Sequence, residues 1–347
     1  MPATPLVDVH IHYLPEALVG AFERRDSPPF IRRDGGTLTL HYGDDYVEHI
    51  DAAASDLGRL LQVLDEHAID VGVLSINQPG VLKLPNDEAC EAARAANDEL
   101  AAVAADSGGR LAGMATLPWQ EPEEAAAELR RSASAGLTGA MVCSNVSGRS
   151  LDEPAFDVVF AEAARLEAPL LLHPTVPLSV DTLGPYGITC AAGFLFDTTT
   201  AVLKLVLGGT FERHPGLKLI VGHAGSLLPQ LAGRIELEYR RGAITRTLPE
   251  GKSPGDYLSL LYTDTVAGSA GPLGAALDLF GPSRVMFGSD YPFWDPIDSV
   301  GLLDDPRLQG PDGELVRGQN AIELFGLETA AQIHDMSFHA TSKEGIG

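Results

Sequence analysis

The sequence predicts an α/β fold, a (β/α)8 or TIM barrel with a small β insertion after its first strand. Three observations point to it. Eight short apolar runs recur along the 347 residues, separated by stretches with helical periodicity. Runs such as "GLKLIVG" are apolar on both faces, as parallel strands are when both faces are covered. Four runs end in histidine or aspartate, and in a barrel the C-terminal strand ends are where catalytic side chains gather. An open doubly wound sheet is the alternative architecture. Its dinucleotide-binding form is excluded, since no G-x-G-x-x-G follows the first strand, and no P-loop occurs.

The strand candidates are 6–12, 70–76, 110–117, 138–143, 169–173, 217–222, 259–265 and 284–289. Helical segments are expected near 56–68, 86–106, 121–135, 154–167, 196–213, 227–241 and 271–280. The second is Ala-rich, with Asn86 as its expected N-cap and Glu88 and Glu91 placed favourably towards its N-terminus. Gly136 marks a helix C-terminus. One barrel domain is expected over 1–326, followed by a tail, 327–347, that lacks periodicity. Two insertions, 13–55 and 174–195, fall on the C-terminal face and are candidate lids or specificity loops.

Composition narrows the function. Forty-eight acidic against 24 basic residues give a net charge of −24, which disfavours nucleic acid and anionic membrane surfaces as partners. An anionic small molecule is not excluded, because surface charge is screened beyond about 8 Å at physiological salt. No signal peptide and no apolar run long enough to span a bilayer are expected. Cys90, Cys143 and Cys190 are few and form no CxxC pair, so reduced thiols and a cytoplasmic enzyme are the expectation.

The chemistry begins at "VDVHIH". Residues i and i+2 of a strand share a face, so His10 and His12 can aim two imidazoles at one point. "PLLLHP" ends at His173, "LKLIVGHAG" at His223 and "RVMFGSDYPF" at Asp290. Each alone reads equally well as a polar strand end or a cap; four at one barrel mouth read as a centre for one divalent metal. His10, His12, His173 and Asp290 form the proposed ligand set. Nitrogen and carboxylate donors suit Zn²⁺, taken as the expected ion, with Mn²⁺ or Fe²⁺ as alternatives. His223 is placed beside the metal as an acid/base, with Gly222 and Gly225 expected to leave room for a substrate, and Asp290 is a second proton-handling candidate. Phe293, in the Asp290 motif, is a candidate for contact with substrate. No lysine follows the fourth strand, "GAMVCSN", so a second metal bridged by a carbamylated lysine is not expected there, and no G-x-S-x-G supports a serine hydrolase.

At these residues the chain resembles the amidohydrolase superfamily, and within it the decarboxylases related to 2-amino-3-carboxymuconate-6-semialdehyde decarboxylase, a group that includes γ-resorcylate, 5-carboxyvanillate and 6-methylsalicylate decarboxylases. The resemblance runs from "VDVHIHYLPE" through "GGTFERHPGLKLIVGHAGSLLPQLAGRIE" to "VMFGSDYPF" and "GQNAIELFGL". It implies non-oxidative decarboxylation of a small aromatic or unsaturated carboxylic acid, on a single metal with His223 beside it. It also implies a homodimer in which an arginine after the sixth strand reaches the neighbouring site; Arg234 matches that position, with Arg240 and Arg241 nearby. Two positions depart from the namesake. His41 and Tyr42 stand where it has a carboxylate-binding arginine, and Thr175 stands where it has an aromatic residue. His41, Thr175, Arg234 and Arg241 are therefore the candidate substrate residues, with Arg24, Arg25, Arg32 and Arg33 as rival sources of positive charge. Hydrolysis or hydration of an amide, lactone or unsaturated acid is the alternative activity, and a non-catalytic metal-binding scaffold the alternative class.

Overall fold

The computed structural model describes residues 4–43, 46–184, 186–245 and 247–327. Its main sheet has eight strands: β1 Val7–His12, β2 Val71–Ser75, β3 Leu111–Ala115, β4 Gly139–Cys143, β5 Leu170–His173, β6 Leu219–Val221, β7 Tyr262–Asp264 and β8 Val285–Met286. All neighbours pair in parallel and in chain order. The ring closes just past β8, where the Val9 N–H donates to the Phe287 carbonyl (2.9 Å) and His12 N–H to Tyr291 O (2.8 Å). The sheet is thereby nearly closed into a barrel. Its strands are buried along nearly their whole length.

Seven helices wrap the ring between strands: α1 Leu57–Glu66, α2 Asn86–Asp106, α3 Pro122–Ser134, α4 Asp157–Leu166, α5 Phe194–Leu207, α6 Leu228–Arg241 and α7 Ala270–Phe280. They fall where the periodicity put them, with three local differences. Asn86 is the first helical residue rather than the N-cap, because Pro85 supplies the extended entry (ψ 148°), and the Asn86 amide donates to Glu121 instead. The helix expected over 196–213 breaks after Leu207, at Gly208 and Gly209, and resumes as Thr210–Arg213; Gly209 takes φ +74°, which glycine tolerates best. The seventh strand is shorter than 259–265 because a capped helix, Pro254–Leu258, with a Ser253–Asp256 capping box, occupies the chain just before it.

One expectation is overturned. The helical run Thr189–Leu207 is, by length and composition, apolar enough to cross a bilayer, with a mean hydropathy of 1.5. Its apolar face is spent on the barrel: Ala201, Val202, Leu205 and Val206 are buried against the core.

The first insertion is a built element. After helix Glu16–Glu23 it forms a three-stranded antiparallel sheet, Phe30–Asp34, Thr37–Gly43 and Tyr46–Asp51. Ile31, Leu38, Leu40 and Ile50 pack with Leu18, Val19 and Phe22, and this cluster also holds Ala89, Ala92, Ala93 and Ala96 of α2. The alanines that make α2 Ala-rich let the helix approach both barrel and insertion. Each fully buried leucine here contributes roughly 1.5–3 kcal/mol, so the insertion is anchored beside the barrel mouth. The expected tail, 327–347, lies outside the described residues except for Leu327.

Candidate metal centre and active-site cavity

Strand alternation turns Asp8, His10 and His12 of β1 to the barrel interior while Val7, Val9 and Ile11 face the other way. His10 Nδ1 lies 2.6 Å from Asp264 Oδ2 at the end of β7, so the imidazole donates there and its Nε2 carries the lone pair. The Ser75 hydroxyl donates to the Ile11 carbonyl (3.2 Å) and its oxygen accepts from His12 Nδ1 (3.0 Å), which turns His12 Nε2 to Asp290 Oδ1, 3.1 Å away. His173, at the end of β5, donates from Nδ1 to the Pro174 carbonyl (2.9 Å). Three imidazoles are thus locked in the same tautomer, each by a partner behind it. One ligand atom each from His10, His12, His173 and Asp290 lies within 4.8 Å of the others, and all four residues are buried. The Nε2 atoms of His10 and His173 have no hydrogen-bond partner among the described residues. Buried lone pairs left bare at this spacing are what a divalent ion satisfies, and the residues fit such an ion.

Asp290 and His223 reach this point through unusual backbone. Asp290 has φ +64°, and its N–H donates to the His10 carbonyl (2.8 Å), stapling the loop after β8 to β1. Beyond β6, His223 (φ +60°), Ala224 (+52°), Gly225 (+74°) and Ser226 (+56°) all have positive φ. Non-glycine residues in this region cost of order 1 kcal/mol or more each and persist where the surroundings over-determine them. Here Asp264 does so: it accepts from the N–H groups of His223 (3.1 Å), Ala224 (2.9 Å) and Val266 (3.1 Å) as well as from His10. His223 Nε2 then lies 3.4 Å from Asp290 Oδ2.

Burial and mutual charge set the electrostatics. Burial, reinforced by the neighbouring imidazoles, holds His173 well below the usual histidine range, and burial lowers His12 too. Both favour the neutral form that coordinates metal. Burial opposes the charge on Asp290, but His10, His12 and His223 outweigh it and keep the carboxyl well below the ordinary range. For His10 burial is outweighed by Asp290 and Asp264, and the ring is pushed up to about 9. Asp8, one step down the same strand face, is driven up to about 7 by burial.

A cavity of about 510 Å³ opens beside these groups, its lining including His173, His223 and Asp290. The rest is mostly apolar: Phe194 and Leu195 from the second insertion, Leu227, Val266, Pro272, and Phe293 and Trp294 after β8. Phe293 also stands edge-on to His12, ring centroids 5.6 Å apart. Polar side chains at the wall are Glu48 from the insertion sheet, Asn77 and Gln78 just past β2, Ser226 and Gln230.

Residues 7–327 match the family described as amidohydrolase. The chain belongs to that family. Among its relatives is a γ-resorcylate decarboxylase of Rhodococcus jostii, 32% identical over 286 residues, covering 77% of this chain and 87% of the relative. A 2-amino-3-carboxymuconate-6-semialdehyde decarboxylase of Dictyostelium discoideum is 28% identical over 332 residues, covering 93% and 92%. Among solved structures, the dihydroxybenzoic acid decarboxylase of Polaromonas sp. JS666, with bound manganese and the inhibitor 2-nitroresorcinol, superposes with a TM-score of 0.76 at 25% identity, covering 95% of this chain and 99% of that one.

Within this amidohydrolase barrel the five strand-end residues and Phe293 come together, while the other substrate candidates do not. Thr175 is buried in the wall of a neighbouring groove with Asn145 and Val176, where its N–H meets the Ser144 hydroxyl (3.3 Å). His41 stacks on Phe30 (4.4 Å between centroids) and does not line the cavity; Glu48, paired with Leu40 in the same sheet, does. Arg241 faces solvent at the far end of α6, 3.5 Å from Glu238. Arg234 is also exposed and outside this cavity. Nor do the rival arginines line it: Arg25 pairs with Glu88, Arg32 lies over Phe30, Arg33 meets Glu16 and Glu23, and Arg24 borders a separate surface hollow. The glycines flanking His223 also have another purpose. A Cβ on Gly225 would sit 2.5 Å from the Phe280 ring, and one on Gly222 3.2 Å from His10 Cε1, so close packing rather than substrate space requires them. Sequence reasoning missed Asp264 and Ser75, the partners that orient the imidazoles. Asp264 carried a usable signal: it ends the seventh strand as His173 ends the fifth.

Proposed function

We propose that this protein catalyses the non-oxidative decarboxylation of a small aromatic or unsaturated carboxylic acid at one divalent metal held by His10, His12, His173 and Asp290. The observation that carries this reading is the convergence of four buried ligand atoms within 4.8 Å at the floor of an apolar, ring-sized cavity. The decarboxylase relatives support it. The reaction breaks the bond between the ring or alkene carbon and its carboxylate, and the same carbon takes up a proton, so that carboxylate plus H⁺ gives arene or alkene plus CO₂. When bound, the metal supplies charge stabilisation for the carboxylate and an adjacent oxygen. The chain does the rest. Phe293 and the apolar wall exclude water and hold the ring. Asp290, kept ionised by the histidines around it, is a poor acid, which leaves His223 to deliver the proton from the cavity wall with Asp290 as its charge partner 3.4 Å away.

Three imidazoles and one carboxylate make zinc the proposed ion; manganese, present in the Polaromonas relative, is the rival that metal analysis of protein purified without chelator decides. A reduced cytoplasmic setting is proposed from the three cysteines, among which no disulfide is formed in the described residues. A homodimer is proposed in which Arg234 supports the neighbouring site. The deciding experiment for the activity measures CO₂ release from a panel of hydroxybenzoates against ring-opening of lactones and cyclic amides. CO₂ release by the metal-loaded protein is expected; ring-opening alone would replace this reading with hydrolysis, and inertness on the whole panel would leave a scaffold.

A further inference from the structure

Past β2 the cavity wall carries a buried polar group with an unmade hydrogen bond. Asn77 follows β2 and is 3% exposed. Its backbone is fixed, since the Asn77 carbonyl accepts from the Gly80 N–H (2.9 Å) in a tight turn. Its side chain lines the cavity, yet the Nδ2 amide, buried, has no hydrogen-bond partner among the described residues. An unmade hydrogen bond on a buried donor costs about 1–3 kcal/mol, a cost that a ligand acceptor in the cavity would remove.

The charges around it restrict what that acceptor is. No arginine or lysine stands among the described residues lining the cavity, whereas Glu48 and Asp290 do. A neutral oxygen would meet the Asn77 amide without bringing a further negative charge into this lining. We infer that Asn77 is a specificity-determining residue that donates to a neutral oxygen substituent of the substrate, a hydroxyl, methoxy or carbonyl group. This rests on the decarboxylase reading for the metal-bound carboxylate, and adds to it the second recognition element.

The test measures direct binding, by calorimetry on metal-loaded protein, of aromatic monocarboxylates in pairs that differ by one ring oxygen. Sites built around a buried donor reject the analogue that lacks its acceptor. Wild type is expected to prefer the oxygen-bearing member by about tenfold for one neutral hydrogen bond. Asn77→Leu, close in shape, and Asn77→Ala are expected to erase that preference while metal content stays at the wild-type level. An unchanged preference in both variants would overturn the inference. CO₂ release by wild type is scored separately: binding that follows Asn77 without CO₂ release would remove the decarboxylase reading and leave the recognition residue standing, and CO₂ release with preference indifferent to Asn77 would do the reverse.

Discussion

Asp264 shows how much of the centre depends on side chains that touch neither metal nor substrate. With one carboxylate it fixes the His10 tautomer and holds the left-handed turn that presents His223. Asp264→Asn keeps the shape but loses the charge that holds the His10 Nδ1 proton and weakens its acceptance of three backbone N–H groups. Partners of this kind change metal affinity by about 10–100-fold, and that is the expected loss, read by chelator competition. In the same assay His173→Ala should abolish stoichiometric binding, and full metal retention by His173→Ala would refute the ligand set. The imidazoles were legible because strand alternation and strand ends are local patterns. Asp264 and Ser75 were not, because their partners are 254 and 63 residues away in the chain and only the closed ring brings them together. His41 and Thr175 lie away from the cavity for a related reason: sequence position within the insertions pointed to them, but the pairing of the insertion sheet turns Glu48, not His41, to the cavity.

Elements were more legible than contacts. Strand and helix positions follow from periodicity, and the departures trace to single residues: Pro85 displaces the cap of α2, and Gly208 and Gly209 break α5 from the turn beyond it. Where elements meet, two outcomes can be measured. Gly225 needs its positive φ and has the Phe280 ring of α7 against it. Gly225→Ala therefore combines backbone strain with overpacking, and a loss of about 1–3 kcal/mol is expected in denaturant unfolding; an unchanged midpoint would show that α7 yields freely. On the outer layer, Glu162 of α4 is clamped by Arg165 (2.6 Å) and by Arg130 of α3 (2.8 Å). The Arg165 hydrogen bond, against a smaller opposing effect of burial and with Arg130 adding to it, lowers this carboxyl from 4.5 to about 2. A carboxyl lowered on folding stabilises above its unfolded value and loses that contribution as pH falls through its folded one. The stability difference between wild type and Glu162→Gln should thus be present at neutral pH and vanish from about pH 4.5 down to 2. Both arginines are more than half exposed (56% and 57%), so screening limits the difference to on the order of 1 kcal/mol. A difference that grows on acidification would contradict this account.

For the molecule as a whole, the unresolved balance is between a net charge of −24 and an anionic substrate. Inside one chain the described cavity lining supplies no basic side chain to help the metal, and the acidic surface offers no long-range attraction once salt screens it. In the proposed homodimer, additional positive charge would come from a second chain. The outer face of α6 is suited to that: Arg234 is exposed, and Leu237, one turn on, leaves 45% of its apolar surface to solvent. The proposed homodimer makes a sharp prediction for mixed oligomers. His173→Ala removes a ligand from its own site, whereas Arg234→Ala, if the arginine crosses the interface, damages only the partner's site. Each parent homodimer should be inactive or nearly so. After subunit exchange, a hybrid concentrates both lesions in one site and leaves the other intact, with its own His173 and the other chain's Arg234. Activity should therefore reappear, up to about half of wild type per hybrid dimer, because one of two equivalent sites is whole. If Arg234 served its own chain, each site of the hybrid would keep one lesion and no activity would return; a fully active monomer would likewise refute the interface. Recovery from two inactive parents has no explanation in a single chain, since neither lesion is repaired where it sits.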